Sequence, residues 1–580
     1  MTYNLKPEIP VSASALDGYG QIASAIKQKS SQFKKAVTIL TVECYPGVNK
    51  EELKAELFSK LDPALVLDAD DYTDTTARVQ ERIKDYMTDD RVFGIMSHYT
   101  IDQFLSSKKR QEAEMHILEI TQGLVILFGF GATLLAEPDI LIYADLTRWE
   151  IQCRFRYEKL TNWKTDNALE DALRKFKRGY FFEWRMADRQ KKACFDRLDF
   201  LLDTNQKMAP KMVDGDAYRG ALKQAVTQPF RLVPYFDASV WGGQWMKKNF
   251  ALDPTADNFG WAFDGVPEEN SLLFNFDGTK VEIPAINLVF SEPDDLLGPS
   301  VHARFGTEFP IRFDYLDTMG GGNLSLQVHP RTEYIQEQFG MPYTQDESYY
   351  ILQATDRSTI YLGVKEDATL DELSADLKRA EAGGYRFPDE KYINEFPVRK
   401  HDHISIPAGT IHCGGPDTVV LEISATPYIF TFKLWDWGRT GLDGIPRPVH
   451  INHGVANIDI TRDTAYVEQN LIVRADQPFE NLAEQSGVRS ERTGLHELEF
   501  IETERHWLKD SATLSTHGSV NMLNLVEGNE AAVESLDGTF PPFIVHYGET
   551  FIVPAAVGKY RIRHTKPDGT EIAVIQAFVR

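Results

Sequence analysis

Three short stretches of this chain carry side chains that can bind one metal ion between them. In residues 323–330 (NLSLQVHP) a preceding glycine run delivers a strand on which Gln327 and His329 stand two residues apart. Residues two apart in a strand project from the same face, so an amide oxygen and an imidazole nitrogen can converge on one point. Residues 345–352 (QDESYYIL) place Glu347 at the start of an aromatic and aliphatic strand, where an acid has little reason to sit unless it faces solvent or a metal. Residues 406–412 (IPAGTIH) read as a strand end, a Pro/Gly turn and then His412 aimed back across the sheet. Two histidines, a glutamate and a glutamine form a mixed nitrogen and oxygen set suited to Zn2+ or a similar divalent ion. With no cysteine ligand, a closed structural site is disfavoured, and an open coordination position, hence catalysis, is expected.

The elements that must position these residues follow from the pattern around them. From residue 230 onward many short alternating strands are punctuated by Gly, Pro and Asp, which predicts β-barrels or sandwiches. One helical insertion interrupts them at 369–382 (TLDELSADLKRAEA), with Leu370, Leu373 and Leu377 at helical spacing. Glu422 lies inside the apolar strand VVLEIS (419–424). An unpaired buried acid there is costly, so it is either hydrogen bonded or lines a cavity.

The first two hundred residues have a different character. Residues 36–42 (AVTILTV) read as a buried parallel strand followed by a Pro/Gly turn and an amphipathic helix with Leu53, Leu57 and Leu61 on one face. Further strands are expected at 64–67, 123–130 and 140–145, with helices between them and a charged, aromatic helical stretch at 168–200. The pattern predicts a doubly wound α/β domain over 1–205 and a linker at 206–229. The first turn, CYPGVNKE (44–51), has the strand, turn and helix setting of a phosphate-binding loop, but Cys44 and Asn49 replace its glycines and Glu51 its hydroxyl. Lys50 alone survives.

With 580 residues the chain exceeds one hydrophobic core. A net charge of −24 and a pI near 5.1 work against nonspecific binding of nucleic acid or an anionic membrane, so a phosphorylated ligand needs local positive charge. The four cysteines, Cys44, Cys153, Cys194 and Cys413, have no CxxC spacing and read as reduced thiols. No stretch reaches about 18 uninterrupted apolar residues and the amino terminus lacks a secretory pattern, so a cytoplasmic protein is expected. The sequence leaves the oligomeric state open.

LSLQVHP, the ES pair opening a strand, IPAGTIH, VVLEIS, WDWGRT, RPVH and the earlier VWGGQWM (240–246) recur in the order found in class I phosphomannose isomerases. From about residue 232 to 580 the chain resembles that family in its short bacterial form, a double cupin. The resemblance implies a metal-binding cupin over 230–457, a metal-free cupin over 458–580, and one Zn2+ held by Gln327, His329, Glu347 and His412. It also implies that Arg439 sits at the mouth of the metal cavity, that Ser325 contacts a phosphate, and that mannose 6-phosphate and fructose 6-phosphate interconvert through a cis-enediol. Glu422 is the expected proton carrier. Two positions where the family carries lysine read Asp314 and Gln345 here, with Arg312 as the expected compensating cation. Another sugar or sugar phosphate, or a sugar-sensing regulatory role, is the alternative.

The first domain resembles a uridine or nucleoside monophosphate kinase with a decayed nucleotide site, Arg148, Arg154 and Arg156 standing where such kinases carry a basic lid. His401 and His403 are expected near the metal ligands, whereas Arg447, His450 and His453 are assigned to loops or structure.

Overall fold

The apolar runs of the first two hundred residues occupy the middle of one sheet, where both faces are covered and a continuous run is tolerated. In the computed structural model, which describes residues 2–425, 428–478, 480–485, 487–494, 496, 499–566 and 569–580, the chain begins with β1 (Glu8–Val11) and β2 (Leu16–Asp17). It continues through β3 (Val37–Cys44), β4 (Leu65–Asp68), β5 (Gly123–Gly129), β6 (Ile140–Asp145), β7 (Phe200–Asp203) and β8 (Lys211–Asp214). The sheet order is β2-β8-β7-β6-β3-β5-β4, parallel from β7 through β4 and antiparallel at β8 and β2.

The connections are α1 (Gly18–Ser30), α2 (Lys50–Glu52), α3 (Ser59–Leu61), α4 (Thr76–Met87), α5 (Ser107–Leu118), α6 (Arg148–Tyr157), α7 (Ala172–Arg178), α8 (Trp184–Cys194) and α9 (Gly215–Ala225). Leu53, Leu57 and Leu61 are buried as their spacing predicts, although a π-helical stretch, Leu53–Phe58, joins α2 to α3. The expected linker at 206–229 is instead structured. β8 extends the sheet by pairing with β7, and α9 buries Tyr218, Ala221 and Leu222, because this segment alternates and then repeats at helical spacing despite its Gly and Pro.

The half that carries Gln327, His329, Glu347 and His412 is built around two antiparallel sheets. It comprises β9 (Tyr235–Asp237), β10 (Trp261–Gly265), β11 (Ser271–Phe276), β12 (Thr279–Pro284), β13 (Arg312–Asp317), β14 (Leu326–Val328), β15 (Asp346–Ala354), β16 (Thr359–Val364), β17 (Ile393–Pro397), β18 (His403–Ile406), β19 (His412–Gly414), β20 (Thr418–Ala425), β21 (Phe432–Trp435) and β22 (Ile472–Val473). Seven of these strands form one sheet, β22-β18-β15-β20-β13-β10-β9, and five form a second, β17-β16-β19-β14-β21. The helical insertion is present as Leu370–Glu381, capped by the Thr369 side chain.

Residues past 458 still belong to this half. β22 pairs with β18, and the helix Thr464–Asn470 packs beside β16, so the final pair of sheets starts only at Glu480. That last unit has six-stranded and four-stranded antiparallel sheets around a core that includes Leu523, Val533, Phe551 and Tyr560. The multidomain, mainly β architecture is thus present, with an α/β unit in front of it.

The units are tied together by polar and aromatic contacts. Met96 N–H donates to the Phe339 carbonyl at 2.8 Å, Lys191 reaches Asn287 at 3.0 Å, and Phe93 stacks on Phe430 with centroids 4.4 Å apart. Among the described residues no helix is long and apolar enough to cross a membrane, and all four cysteines are free thiols.

Candidate metal centre and the cavity around it

The four expected ligands converge. Antiparallel pairing of β14 with β19 sets Gln327 opposite His412, and β15 brings Glu347 from the seven-stranded sheet. His329 Nε2 lies 2.8 Å from Glu347 Oε2, and His412 Nε2 lies 3.4 Å from Glu347 Oε1. The Gln327 side-chain amide is 3.1 Å from His412 Nε2, and a flip of that amide would turn its oxygen to the same place. The donor atoms of His329, Glu347 and His412 all lie within 4.8 Å of one another, and all three residues are buried.

The outward-facing nitrogens decide what these rings can do. His329 Nδ1 is 2.9 Å from the Phe430 carbonyl, and His412 Nδ1 is 2.9 Å from the Thr410 carbonyl. A ring nitrogen bonded to a carbonyl must carry the proton, so each neutral ring turns an Nε2 lone pair inward. Those lone pairs face a carboxylate whose Oε1 has no hydrogen-bond partner. Acceptors crowded this closely repel one another unless a cation or proton sits among them, and nitrogen and oxygen donors in this ratio fit a divalent metal. With protons rather than a metal between them, the His329 and His412 rings outweigh the effect of burial and hold the Glu347 carboxyl well below the usual carboxylate range.

Gln345, at a position where the resemblance implies lysine, joins the two acids of the cavity. Its Nε2 donates to Glu347 Oε2 at 3.0 Å and to Glu422 Oε1 at 3.1 Å, while its Oε1 accepts the Phe430 N–H at 2.9 Å. Glu422 also accepts from Ser424 Oγ at 2.9 Å and lines the cavity, so both alternatives for it hold together. Burial, then the nearby Asp314 and Glu347 carboxyls, push the Glu422 carboxyl well above its ordinary range. The shift is opposite in direction to that of Glu347, so the two carboxyls of the cavity differ in proton affinity.

Two expected site residues are placed elsewhere. Arg312 is buried on β13, donates to Asp314 Oδ1 at 3.0 Å and to Glu269 Oε1 at 3.3 Å, and does not line the cavity. A buried guanidinium needs counter-charges, and these two carboxylates hold it through Nε and Nη1, with Nη2 left without a partner. Burial in turn pushes Asp314 up to about 7, against the pull of Arg312. Arg439 stands behind the wall, bonded to the Asn323 carbonyl at 2.7 Å and to Asp436 at 2.5 Å. Ser325 does line the cavity.

His401 and His403 turn away from the metal residues. His401 meets Tyr350 and Glu527, while His403 bonds Ser348 Oγ and Thr493 Oγ1, each at 2.9 Å. His453 bonds the Tyr334 hydroxyl.

The cavity, about 300 Å3, is walled by both halves of the chain. Trp241, Trp261 and Phe263 come from the β half, and Phe93, Gln152 and Arg156 from the α/β unit. Of the three arginines compared with a kinase lid, only Arg156 lines this cavity, where it bonds Asp237 at 2.9 Å. Arg148 is buried against Asp188 and Trp184, and Arg154 binds the Gly47 carbonyl.

Sequence reasoning did not name Lys433 and assigned Arg447 and His450 to loops or structure, although all three line the cavity. Lys433 sits on β21 in register with Gln327. The signal was available, since a lone lysine interrupts the aromatic strand FTFKLW. Burial, with help from Arg447 and Arg439, brings its ammonium down to about 7 despite Asp436. His450 packs against Phe93 and lies 3.1 Å from Asp90.

Residues 18–227 match a family model described as a domain of unknown function (DUF8485). Among curated proteins, the chain is 26% identical over 232 residues to the mannose-6-phosphate isomerase of Streptococcus mutans, covering 40% of this chain and 67% of that one. It is 23% identical over 344 residues to the mannose-6-phosphate isomerase ManA of Bacillus subtilis, covering 58% and 96%. Among solved structures, a mannose 6-phosphate isomerase from Bacillus subtilis aligns with TM-score 0.48 and 18% identity over 60% of this chain and 99% of that one. A zinc-bound mannose 6-phosphate isomerase aligns with TM-score 0.45 and 15% identity over 60% and 99%. The curated relatives are thus mannose-6-phosphate isomerases, matched at low identity and over part of this chain.

Proposed function

We propose that this protein is a zinc-dependent aldose-ketose isomerase interconverting mannose 6-phosphate and fructose 6-phosphate. The observation that carries the reading is the inward-facing His329, Glu347 and His412 donor set, with both Nδ1 atoms committed to carbonyls and Glu422 one amide away. Similarity to curated mannose-6-phosphate isomerases supports the same reaction.

Gln327, His329, Glu347 and His412 would hold the zinc ion, which supplies Lewis acidity toward sugar oxygens. The remaining work belongs to the chain. Isomerisation moves one proton between C2 and C1 of the open-chain sugar through a cis-enediol, and the reacting carbons need an acid and a base whose proton affinities lie near the working pH. Burial pushes the Glu422 carboxyl well above its ordinary range, which suits it to carry a proton between the two carbons. Gln345 fixes Glu422 relative to Glu347, Ser325 offers a hydroxyl to the substrate, and the aromatic wall excludes water.

The test is NMR of mannose 6-phosphate incubated in D2O with zinc-loaded and with chelated protein. Fructose 6-phosphate formed with solvent deuterium at C1, only in the loaded sample, is the expected result. Absence of turnover by folded, zinc-loaded protein would overturn the assignment.

A further inference from the structure

Most cations around the cavity are already matched by acids. Arg312 is held by Asp314 and Glu269, Arg156 by Asp237, and Arg91 by Asp171 and Asp443. One patch of the wall differs. The Lys433 ammonium has no hydrogen-bond or ion-pair partner among the described residues, although it lines the cavity. Arg447, which also lines it, reaches Asp436 through Nε at 2.9 Å, but its buried Nη1 has no acceptor. Asp436 is shared with Arg439, so three cations, Lys433, Arg439 and Arg447, surround one carboxylate. A buried donor left without an acceptor, Arg447 Nη1, beside an unpaired ammonium on the wall, Lys433, makes this patch a place for an anion.

We propose that Lys433 and Arg447 form the anion subsite that receives the phosphate of the substrate, and that the α/β unit is required to complete it. This rests on the isomerase reading for the identity of the sugar, but not for the charge of the group bound. Lys433 lies in register with Gln327, so the subsite borders the metal ligands on the neighbouring strand. It supplies the positive charge that Asp314 and Gln345 do not.

The α/β unit closes the same patch. Phe93 packs against His450 with ring centroids 4.9 Å apart, Asp90 faces His450, and Arg91 bonds Asp443 at 2.5 Å, in the loop that carries Arg447. The amino-terminal unit therefore holds the phosphate-binding loop in place, whatever became of its own nucleotide loop.

The experiment compares binding of mannose 6-phosphate with binding of unphosphorylated mannose to the full zinc-loaded chain. The readout is quenching of tryptophan fluorescence, since Trp241 and Trp261 line the cavity. The wild-type protein should prefer the phosphorylated sugar. Lys433→Gln and Arg447→Gln should each weaken its binding about 10- to 100-fold, as expected for loss of one charge-assisted contact, with zinc content and mannose binding unchanged. Phe93→Ala should weaken it through the displaced loop, with zinc retained. Equal binding of the two sugars by wild type, or unchanged mannose 6-phosphate affinity in both charge variants, overturns the proposal. Phosphate-selective binding without turnover would sustain the subsite and remove the isomerase reading instead.

Discussion

His329 Nε2 and Glu347 Oε2 lie 2.8 Å apart while the other ring nitrogen of His329 faces the Phe430 carbonyl, so in the neutral ring a lone pair meets the carboxylate. Two acceptors at that distance are stable only around a positive charge. Replacing His329 or His412 by Ala should therefore reduce zinc from one per chain to a small fraction, measured by elemental analysis after dialysis. The circular dichroism spectrum should be preserved. Turnover should fall at least about 100-fold, since a ligand is lost outright.

Glu422 supplies a second, separable prediction. Glu422→Gln keeps the shape and the contact to Gln345 but removes the exchangeable proton. The expected result is a fall in kcat of roughly 100- to 10,000-fold with bound zinc unchanged. Full activity in the variant would remove Glu422 from the proton transfer.

Gln345 ties Glu347 and Glu422 together and is itself anchored by the Phe430 amide. Gln345→Leu leaves three buried polar partners without their bonds. Stability should drop by about 1–3 kcal/mol, and zinc affinity by roughly 10- to 100-fold, because the ligand carboxylate loses its orienting donor. Denaturation midpoints and competition with a metal indicator would measure both.

His403 links stability to pH. Burial, assisted by Arg505, depresses this imidazole to about 3, whereas the unfolded chain carries an ordinary histidine near 6.5. Between those values the unfolded state binds more protons, so this contribution is complete above about pH 6.5 and is lost as pH falls toward 3. In His403→Asn the loss of stability between pH 7.5 and pH 5 should be smaller than in wild type. An identical pH dependence in the two proteins would contradict the assignment.

In the α/β unit, Lys50 Nζ lies 2.9 Å from Asp68 and also pairs with Asp70. A triphosphate would have to displace both carboxylates without the glycines that let a backbone approach phosphate. Millimolar MgATP should therefore leave the melting temperature unchanged. Lys50→Met should leave turnover at the metal centre unchanged as well.

The convergence of Gln327, His329, Glu347 and His412 was legible because each stands in a short stretch whose strand or turn grammar fixes its direction. Gln327 and His329 share a face by alternation alone, and His412 follows a Pro/Gly turn. The strands at 64–67, 123–130 and 140–145 were equally plain, since buried parallel strands are uninterrupted apolar runs. Arg312 and Arg439 were misplaced for a common reason: sequence shows a cation but not its counter-ion, and Glu269 and Asp436 come from other segments. The supposed linker at 206–229 was hidden by composition, because Gly and Pro there sit at element ends. Contribution of the α/β unit to the cavity wall was invisible, since Phe93, Gln152 and Arg156 meet the metal half only through tertiary packing.

The strand β1 pairs in parallel with β11, Glu8 opposite Leu273, and the Tyr3 hydroxyl bonds Asp264 at 2.6 Å across 261 residues of sequence. On a ribosome adding about 5–20 residues per second, the first residues wait on the order of 10 to 50 s before their partners emerge. During that interval the amino-terminal segment is an unpaired strand beside a growing chain. The strand β1 thus docks only after β2 through β8 have been synthesised, so a substitution in β1 would be felt once the first large sheet can already form.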